Sequence, residues 1–354
     1  MTVVPEVHED LGATFGTVGG RRVALHYGRP EREHLAVRRV VGLTEPAYGV
    51  VVVRGPGRVA ALDRALTAVP RTEGDGVYAL CRDEDGRILT DARVHHAGER
   101  VLCFTPPDRT GHLRDALSRP DVAVREATDE FSVFGIHGVE ATEKVASVLH
   151  GTGTPEERLT FVRGRLGDVG VTVIRTDAPA GETGYEVVCT TGGAGEAYDV
   201  LLNQGLNAAP FGYRSWETLT VEAATPLFDP DLQGLWPDAG RDSDGTGGAE
   251  RNRHRHLVGL APDRVPPAGA TVAADEPVGR VTRAVESPVL EEPIAFAAVD
   301  RSVARREFAV RTDEGAMDAT RRELPFVEGS ERSGRIGSTG GLTEMRPDAN
   351  NSDI

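Results

Sequence analysis

The chain has 354 residues, of which 55 are acidic and 40 are lysine or arginine, and its formal net charge at pH 7 is -15. This length exceeds what one ordinary hydrophobic core holds, so two or three packed units with a cleft between them are expected. The negative charge argues against nucleic acid or an anionic membrane face as a general partner, because both repel an acidic surface.

Lysine is almost missing from the sequence, since Lys144 is the only one and all other strongly basic residues are arginines. An acidic, lysine-poor chain is typical of a protein adapted to high salt. A local patch of arginines could still bind an anionic small molecule.

Compartment is indicated by the cysteines and by the start of the chain. Cys81, Cys103 and Cys189 are odd in number, widely separated and set in apolar stretches, which predicts reduced core thiols and no disulfide framework. The sequence has no apolar run of the roughly 18 residues that span a bilayer. Its start, MTVVPEVHEDLG, has neither the basic n-region nor the apolar h-region of a signal peptide. A cytoplasmic protein is expected.

The first half of the chain repeats one pattern twice. Residues 47–53 predict a strand that ends at the turn 54–57, and a helix follows. The turn residues Asp85-Gly86 and Ala97-Gly98 then predict a meander of three strands, followed by a helix. A second cycle of strand, helix, strands and helix begins at Phe131. The predicted fold class is therefore α+β, with two units in tandem across residues 1–228.

The second half predicts a linker, a small barrel and a tail. Residues 229–256 are rich in Gly, Asp and Arg without apolar periodicity, which is typical of a loop or linker. Short strands broken by Pro and Gly across residues 257–327 predict a small β-barrel or sandwich. Residues 328–354 are polar and poor in apolar side chains, so a disordered tail is predicted there.

One strand carries the most informative polar pattern. In a strand over residues 91–95 the side chains of Asp91, Arg93 and His95 share one face, because successive side chains alternate. On a cleft wall, Asp91 could hydrogen-bond or protonate a nitrogen heterocycle, with its charge held by Arg93. A solvated hairpin face is the alternative that spacing alone favours.

Two further segments offer a carboxylate or an arginine beside an aromatic ring. Glu182 and Glu186 flank Gly184-Tyr185 at a strand entry, where loops often build sites. Arg214 precedes Trp216 at the start of a helix, a pairing that suits a flat anionic ligand. An exposed strand and a packed helix start are the more ordinary alternatives.

Other signals are weaker. His95-His96 and the pair His254 and His256 lack acidic or cysteine partners at ligand spacing, so no metal is predicted. The glycine-rich segments lack the Lys-Ser/Thr ending of a phosphate loop, and the sequence has no nucleophile elbow. Nucleotide triphosphatase and hydrolase functions are therefore not expected.

Six short motifs stand in order between residues 33 and 290. They are Glu33-His34-Leu35-Ala36-Val37-Arg38, Arg54-Gly55-Pro56, Gly86-Arg87-Ile88-Leu89-Thr90-Asp91, Gly181-Glu182-Thr183-Gly184-Tyr185-Glu186, Thr218-Leu219-Thr220-Val221-Glu222-Ala223, and Gly279-Arg280-Val281-Thr282 with Ser287-Pro288-Val289-Leu290. In that order they resemble E-H-x-A-V-R, R-G-P, G-G-I-x-D-D, G-E-x-G-Y-E, S-L-R-L-E-A and G-x-V-T…S-P-x-L. The chain therefore resembles the folate-binding aminomethyltransferase superfamily, which holds the glycine-cleavage T-protein and the YgfZ-type proteins.

This resemblance implies a fold, a ligand and roles for residues. It implies two α+β units and a C-terminal barrel around a central channel that holds tetrahydrofolate. It further implies that Asp91 lies near the reactive pterin nitrogens and assists one-carbon transfer, while Glu186 anchors the pterin. Asp91 is thus the candidate catalytic residue, and the candidate folate-binding residues are Asp91, Arg93, His95, Tyr185, Glu186 and Arg214.

The sequence also departs from the T-protein pattern. Thr44-Glu45-Pro46-Ala47 stands where T-proteins have F-D-V-S, Thr90 replaces the first acid of D-D, and the arginine before the helix falls on Trp216. The segments TLTVEAATPLFDPDLQG and HLVGL are more similar in sequence to YgfZ-type proteins. The K-G-C-Y-x-G-Q-E motif of those proteins is missing, because the interval 229–256 has neither lysine nor cysteine.

Three functions follow as expectations. The first is a tetrahydrofolate-binding accessory protein of the YgfZ type, with iron–sulfur proteins as possible clients. The second is a folate-dependent aminomethyl- or methyltransferase like the T-protein. The third is a degenerate scaffold that keeps the fold without the ligand, for which a cavity filled by side chains would be the sign.

Overall fold

The computed structural model describes residues 4–83, 88–232, 255–300, 302–303 and 305–335. Most of the predicted linker and the end of the predicted tail, residues 336–354, lie outside the described residues. Within the described part of the chain, no helix has the length and apolar character needed to cross a membrane.

The chain opens with two short helices and a hairpin. These are α1 (Pro5–Asp10), β1 (Thr14–Val18), β2 (Arg21–His26) and α2 (Pro30–Arg39). Proline occupies the first turn of both helices, where its missing N–H costs no hydrogen bond and its fixed φ suits a helix start.

The first α+β unit is a five-stranded antiparallel sheet with two helices on one face. Its strands are β4 (Gly49–Arg54), β5 (Gly76–Arg82), β6 (Ile88–Ala97), β7 (Arg100–Thr105) and β8 (Ala123–Glu126), in the order β5-β6-β7-β4-β8. Helices α3 (Arg58–Ala65) and α4 (Thr110–Leu117) cover the face that carries Val51 and Val53. Val50 and Val52 alternate to the opposite face, where they contact the second unit.

The second unit is a six-stranded sheet, and one of its strands precedes the first unit in the chain. Its order is β10-β11-β12-β9-β3-β13, with β3 (Gly42–Thr44), β9 (Phe131–His137), β10 (Phe161–Leu166), β11 (Val169–Arg175), β12 (Gly184–Thr190) and β13 (Ala209–Pro210). Helices α5 (Ala141–Val148) and α6 (Ala194–Asn203) cover its outer face. Because β3 pairs with β9 and the chain then enters β4, residues 45–48 cross from one sheet to the other.

A helix and a closed barrel complete the fold. Helix α7 (Tyr213–Glu222) packs beside α2, and the barrel order is β14-β17-β16-β15-β18-β19. Its strands are β14 (Arg255–Pro262), β15 (Thr271–Ala273), β16 (Pro277–Ser287), β17 (Glu292–Asp300), β18 (Glu307–Thr312) and β19 (Gly315–Arg322). The predicted α+β class with a small C-terminal barrel is confirmed.

Buried ion pairs join α2 to α7, and a buried hydrogen bond joins the barrel to α7. Glu222, which is fully buried, lies 2.8 Å from His34 Nε2 and accepts hydrogen bonds from Arg38 and from Ser287 Oγ, the latter at 2.6 Å. These four residues come from three of the six sequence motifs. The motifs therefore also hold the architecture together, because a buried carboxylate needs such partners.

The predicted disordered tail differs from the structure over its first residues. Residues 328–335 lie against the second unit, and Ser333 is buried. The backbone N–H of Glu331 donates to the Gly181 carbonyl at 2.8 Å. Composition suggested disorder because this stretch is poor in apolar residues, but polar contacts fix it instead. The domain boundaries as a whole stay a prediction.

Candidate functional site

A cavity of about 330 Å³ lies where the first sheet, the crossing segment 45–48 and the start of α7 meet. Its walls include several aromatic residues, among them Tyr48, Tyr78, Phe104, Trp216 and Phe228. Small-molecule sites are typically concave, mostly apolar and supplied with a few polar groups, and this cavity has that character.

Asp91 is one of four acidic residues on the cavity wall, together with Glu45, Asp108 and Asp229. Its side chain is buried at 7% exposure, and its Oδ2 accepts a 2.9 Å hydrogen bond from the Tyr78 hydroxyl. Burial raises the pKa of Asp91 above its ordinary value, although the charge of Arg335 and the Tyr78 hydrogen bond oppose this rise. A carboxyl group with a raised pKa in an apolar cavity is suited to exchanging a proton with a ligand.

Arg93 and Glu186 form a buried ion pair behind this carboxylate. Arg93 Nη1 donates to Glu186 Oε2, and the Tyr48 hydroxyl donates to Glu186 Oε1 at 2.9 Å. The Arg93 guanidinium also lies 4.3 Å from the centroid of the Tyr48 ring. Arg93 lines the cavity, whereas Glu186 sits one layer behind it. Among the residues that the structure describes, the buried Arg93 Nη2 has no hydrogen-bond acceptor.

A second arginine reaches the cavity from the C-terminal segment. Arg335 lines the cavity, with its guanidinium 5.8 Å from the centroid of the Tyr78 ring. Its Nε donates to Asp177 Oδ2 at 3.2 Å, and Ser333 Oγ donates to the same oxygen. Burial alone would raise the pKa of Asp177, but the charge of Arg335 and the Ser333 hydrogen bond lower it below its ordinary value.

The segments that depart from the T-protein pattern lie at this cavity. Thr44, Glu45, Pro46 and Ala47 line it because they lead from β3 toward β4. Trp216 also lines it, and its ring lies 5.1 Å from that of His137. The wall here is therefore aromatic where the resemblance suggested an arginine.

Three of the sequence candidates do not line this cavity. Tyr185 points to the outer face of the second sheet, where its hydroxyl lies 3.0 Å from Thr142 Oγ1, because neighbours in a strand alternate and Glu186 takes the inner face. His95 is buried away from the cavity, with Phe104 and Phe161 against its ring.

Arg214 is the third of these residues. It is exposed on α7, whereas Tyr213 and Trp216 turn toward the cavity. On a helix, a residue one or two positions away lies on a different face, so Arg214 cannot replace Trp216 in the wall.

Sequence reasoning missed Tyr48, Tyr78, Asp177 and Arg335. A signal existed for Tyr78 alone, because it pairs with Arg93 across β5 and β6 and cross-strand partners share a face. Tyr48 and Asp177 lie in connecting segments, and Arg335 lies in a stretch whose composition suggested disorder. Their positions depend on packing between distant parts of the chain.

Comparison with known protein families agrees with this fold. The family model of the GCVT N-terminal domain matches residues 4–236, and that of the glycine cleavage T-protein C-terminal barrel domain matches residues 255–328. The chain belongs to the glycine cleavage T-protein superfamily.

Relatives of this superfamily are similar along most of the chain. The aminomethyltransferase of Streptomyces avermitilis is 32% identical over 84% of this chain and 89% of its own length. That of Saccharopolyspora erythraea is 30% identical over 88% of this chain and 93% of its own length. The crystal structure of the glycine cleavage system aminomethyltransferase T from Bartonella henselae has the same fold, with a TM-score of 0.77, 21% identity, and coverage of 94% of this chain and 98% of that one.

These relatives favour one of the three expected functions. Each curated relative named here is an aminomethyltransferase, so the similarity supports the T-protein-like alternative better than the YgfZ-type accessory function. The position of the missing cysteine motif falls mostly on residues 233–254, outside the described residues.

Proposed function

We propose that this superfamily member is a tetrahydrofolate-dependent transferase that moves an aminomethyl or methyl group, with Asp91 as its catalytic residue. The observation that carries the proposal is Asp91 itself, a buried carboxyl group with a raised pKa on the wall of an aromatic cavity. A carboxyl group whose pKa is raised by burial on a cavity wall is a candidate for proton exchange with a ligand.

The residues of the cavity fit a flat, polar heterocycle. The rings of Tyr48, Phe104 and Trp216 provide apolar area against which a pterin ring can pack. The unpaired Nη2 of Arg93 and the Asp91 carboxyl group supply a donor and an acceptor for its polar edge. Such a donor is costly to bury unless a ligand or water satisfies it.

Tetrahydrofolate, when bound, supplies the nitrogen atoms that receive the one-carbon unit. The protein side chains then have three tasks. Asp91 accepts a hydrogen bond from the ligand and exchanges a proton with it. Tyr78 holds the Asp91 carboxyl group in place through its hydroxyl. The aromatic walls exclude water, which strengthens these polar contacts.

Glu186 has an indirect task in this scheme. Both of its oxygens already accept hydrogen bonds, from Arg93 and Tyr48, so it orients those two wall residues in addition to any contact with the pterin. Arg93, held by this pair, lines the cavity, and its buried Nη2 has no acceptor among the described residues. This differs from the resemblance, in which the carboxylate anchors the pterin directly.

The accessory, YgfZ-type function is a second candidate. It is favoured by the departures at Thr90 and Trp216, which remove groups of the T-protein pattern. Iron–sulfur clients, a cytoplasmic location and adaptation to high salt belong to this proposal as sequence-based predictions. The degenerate scaffold is disfavoured, because the cavity is open and not filled by side chains.

Turnover separates the two candidates. A transferase forms methylenetetrahydrofolate from an aminomethyl donor, with release of ammonia and of the donor group, and Asp91→Asn reduces this rate at least about 100-fold because the proton-transfer group is lost. An accessory protein binds tetrahydrofolate without such turnover. Binding without turnover under high salt would reject the transferase.

A further inference from the structure

The last described segment of the chain is fixed to α7 and to the second unit before it reaches the cavity. The Phe326 N–H donates to the Glu222 carbonyl at 3.0 Å. Arg158 Nη1 donates to the Arg332 carbonyl at 2.8 Å, and Arg158 also pairs with Glu331. We call residues 328–335 the C-terminal strap. It is held along its length and ends at the site.

Two residues hold the end of the strap. Asp177 is 2% exposed and follows β11 of the second sheet, and its Oδ2 accepts from both Ser333 Oγ and Arg335 Nε. Ser333 also accepts a 3.2 Å hydrogen bond from the Arg335 backbone N–H. One carboxylate oxygen and one hydroxyl thus fix both the backbone and the guanidinium of Arg335. A charge-assisted contact of this kind is stronger and better oriented than a neutral one.

The guanidinium held in this way lies next to the catalytic candidate. It lies 5.8 Å from the centre of the Tyr78 ring, and the hydroxyl of that ring donates to Asp91 at 2.9 Å. Arg335 and Asp91 line the same cavity, and a nearby opposite charge favours the ionised form of a buried carboxyl group. The barrel family match ends at residue 328, so Arg335 lies beyond the matched domain.

We propose that Asp177 and Ser333 are positioning residues, which hold Arg335 at the cavity so that its charge stabilises the ionised form of Asp91. The proposal rests on the proposed function only because it takes Asp91 as the catalytic residue. The effect on Asp91 is a property of the free protein.

Other charged groups near Asp91 do not replace Arg335. Tyr78 from β5 provides a neutral hydrogen bond, and the charge of Arg93 from β6, which is paired with Glu186 from β12, lowers the pKa of Asp91 less than the charge of Arg335 does. Tyr48, from the crossing segment, donates to Glu186 and not to Asp91. Arg335 is likewise paired with Asp177, but it belongs to the strap and to neither sheet.

The test is a pH titration of the Asp91 side chain in the intact, ligand-free protein. Carboxyl-¹³C aspartate labelling gives one resonance per carboxyl group, and the signal lost in Asp91→Asn identifies Asp91. Arg335→Gln raises the Asp91 midpoint by about one pH unit or more, because an opposing charge is removed. Arg335→Lys restores most of the wild-type value. The matched control, Arg332→Gln, removes a strap arginine that contacts the Leu324 carbonyl and leaves the midpoint unchanged.

The direction in which Asp177→Asn shifts the Asp91 midpoint tests whether Asp177 positions Arg335. Loss of a negative charge alone would lower the Asp91 midpoint, whereas release of Arg335 raises it. The proposal therefore expects a rise, with a smaller rise in Ser333→Ala. A fall in Asp177→Asn, or an unchanged midpoint in folded Arg335→Gln, would overturn the proposal. If Arg335→Gln does not fold, Ser333→Ala decides, and an unchanged midpoint there rejects it.

Failure of the proposed function gives a different pattern. If the Asp91 midpoint moves as expected but tetrahydrofolate does not bind at any pH, the folate proposal fails and the positioning of Arg335 stands. If tetrahydrofolate binds and the midpoint is the same in wild type and Arg335→Gln, the positioning proposal fails alone.

Discussion

The Tyr78 hydroxyl donates a 2.9 Å hydrogen bond to Asp91 although the two residues are diagonal neighbours on adjacent strands. The register pairs Tyr78 with Arg93 and Leu80 with Asp91, so the phenol reaches across one pair to the carboxylate. Long aromatic side chains make such diagonal contacts within a sheet face. This contact fixes the carboxyl group at the cavity wall.

Replacing Tyr78 by Phe removes the protein hydroxyl group that donates to Asp91. The pKa of Asp91, already raised by burial, then rises further, because a hydrogen bond to the charged form is lost. Tetrahydrofolate binding at neutral pH weakens about 10-fold, from loss of a hydrogen bond to a charged group. Binding measured across pH checks this. Tyr213→Phe alters another phenol of the same wall and serves as the control. An equal effect of both variants would contradict the assignment.

Acid sensitivity follows from two buried histidines. Burial and the charge of Arg93 lower the pKa of His95 and of His137 to about 3. Between pH 6.5 and about 3 the unfolded chain binds more protons than the folded chain at these sites, so stability falls as pH drops below 6.5. At pH 5 each histidine lowers the free energy of unfolding by about 2 kcal/mol.

His95→Leu removes one of these two contributions. The loss in free energy of unfolding between pH 7 and pH 5, measured by urea denaturation, then becomes smaller by about 2 kcal/mol. His112→Leu, which changes an exposed histidine, is the control and leaves that loss unchanged. A loss of the same size in wild type and His95→Leu would show that His95 does not titrate in this way.

The buried network around Glu222 predicts a large stability effect. Glu222→Gln leaves His34 and Arg38 without their carboxylate partner, which costs about 3 kcal/mol because those groups stay buried. Glu130→Gln is the comparison, since Glu130 pairs with Arg125 at an exposed position and contributes below about 1 kcal/mol. Urea denaturation at pH 7 measures both. Similar values for the two variants would refute a structural role for this network.

Salt dependence follows from the net charge of -15. Repulsion between surface carboxylates is screened over about 10 Å at 0.1 M salt and about 3 Å at 1 M. The melting temperature therefore rises between 0.1 and 1 M KCl. Sorbitol at the same osmolality controls for exclusion of cosolutes. A melting temperature that falls with KCl would exclude this explanation.

Sequence periodicity could identify the strand that carries Asp91, because its apolar neighbours Ala92 and Val94 alternate into the core beneath the helices. The same rule argues against placing Tyr185 and Glu186 in one site, since adjacent strand residues face opposite ways. Family motifs indicated the barrel and the two units, and the structure agrees.

Periodicity does not predict which segments that are distant in sequence come into contact. Glu186 reaches Arg93 only because two sheets pack face to face, and β3 pairs with β9 across almost 90 residues of intervening chain. Arg335 reaches Asp177 across an even longer separation, from a stretch with no apolar pattern. Such contacts depend on the tertiary fold, which local sequence does not encode.

The most direct test of the folate site is calorimetric titration of the intact protein with tetrahydrofolate in high salt. We predict saturable binding at one site, and binding weakened at least about 10-fold in the double variant Asp91→Ala, Glu186→Ala, which removes the Asp91 carboxyl group and the partner of Arg93. No binding by the wild type, or the same affinity in the double variant, would contradict it.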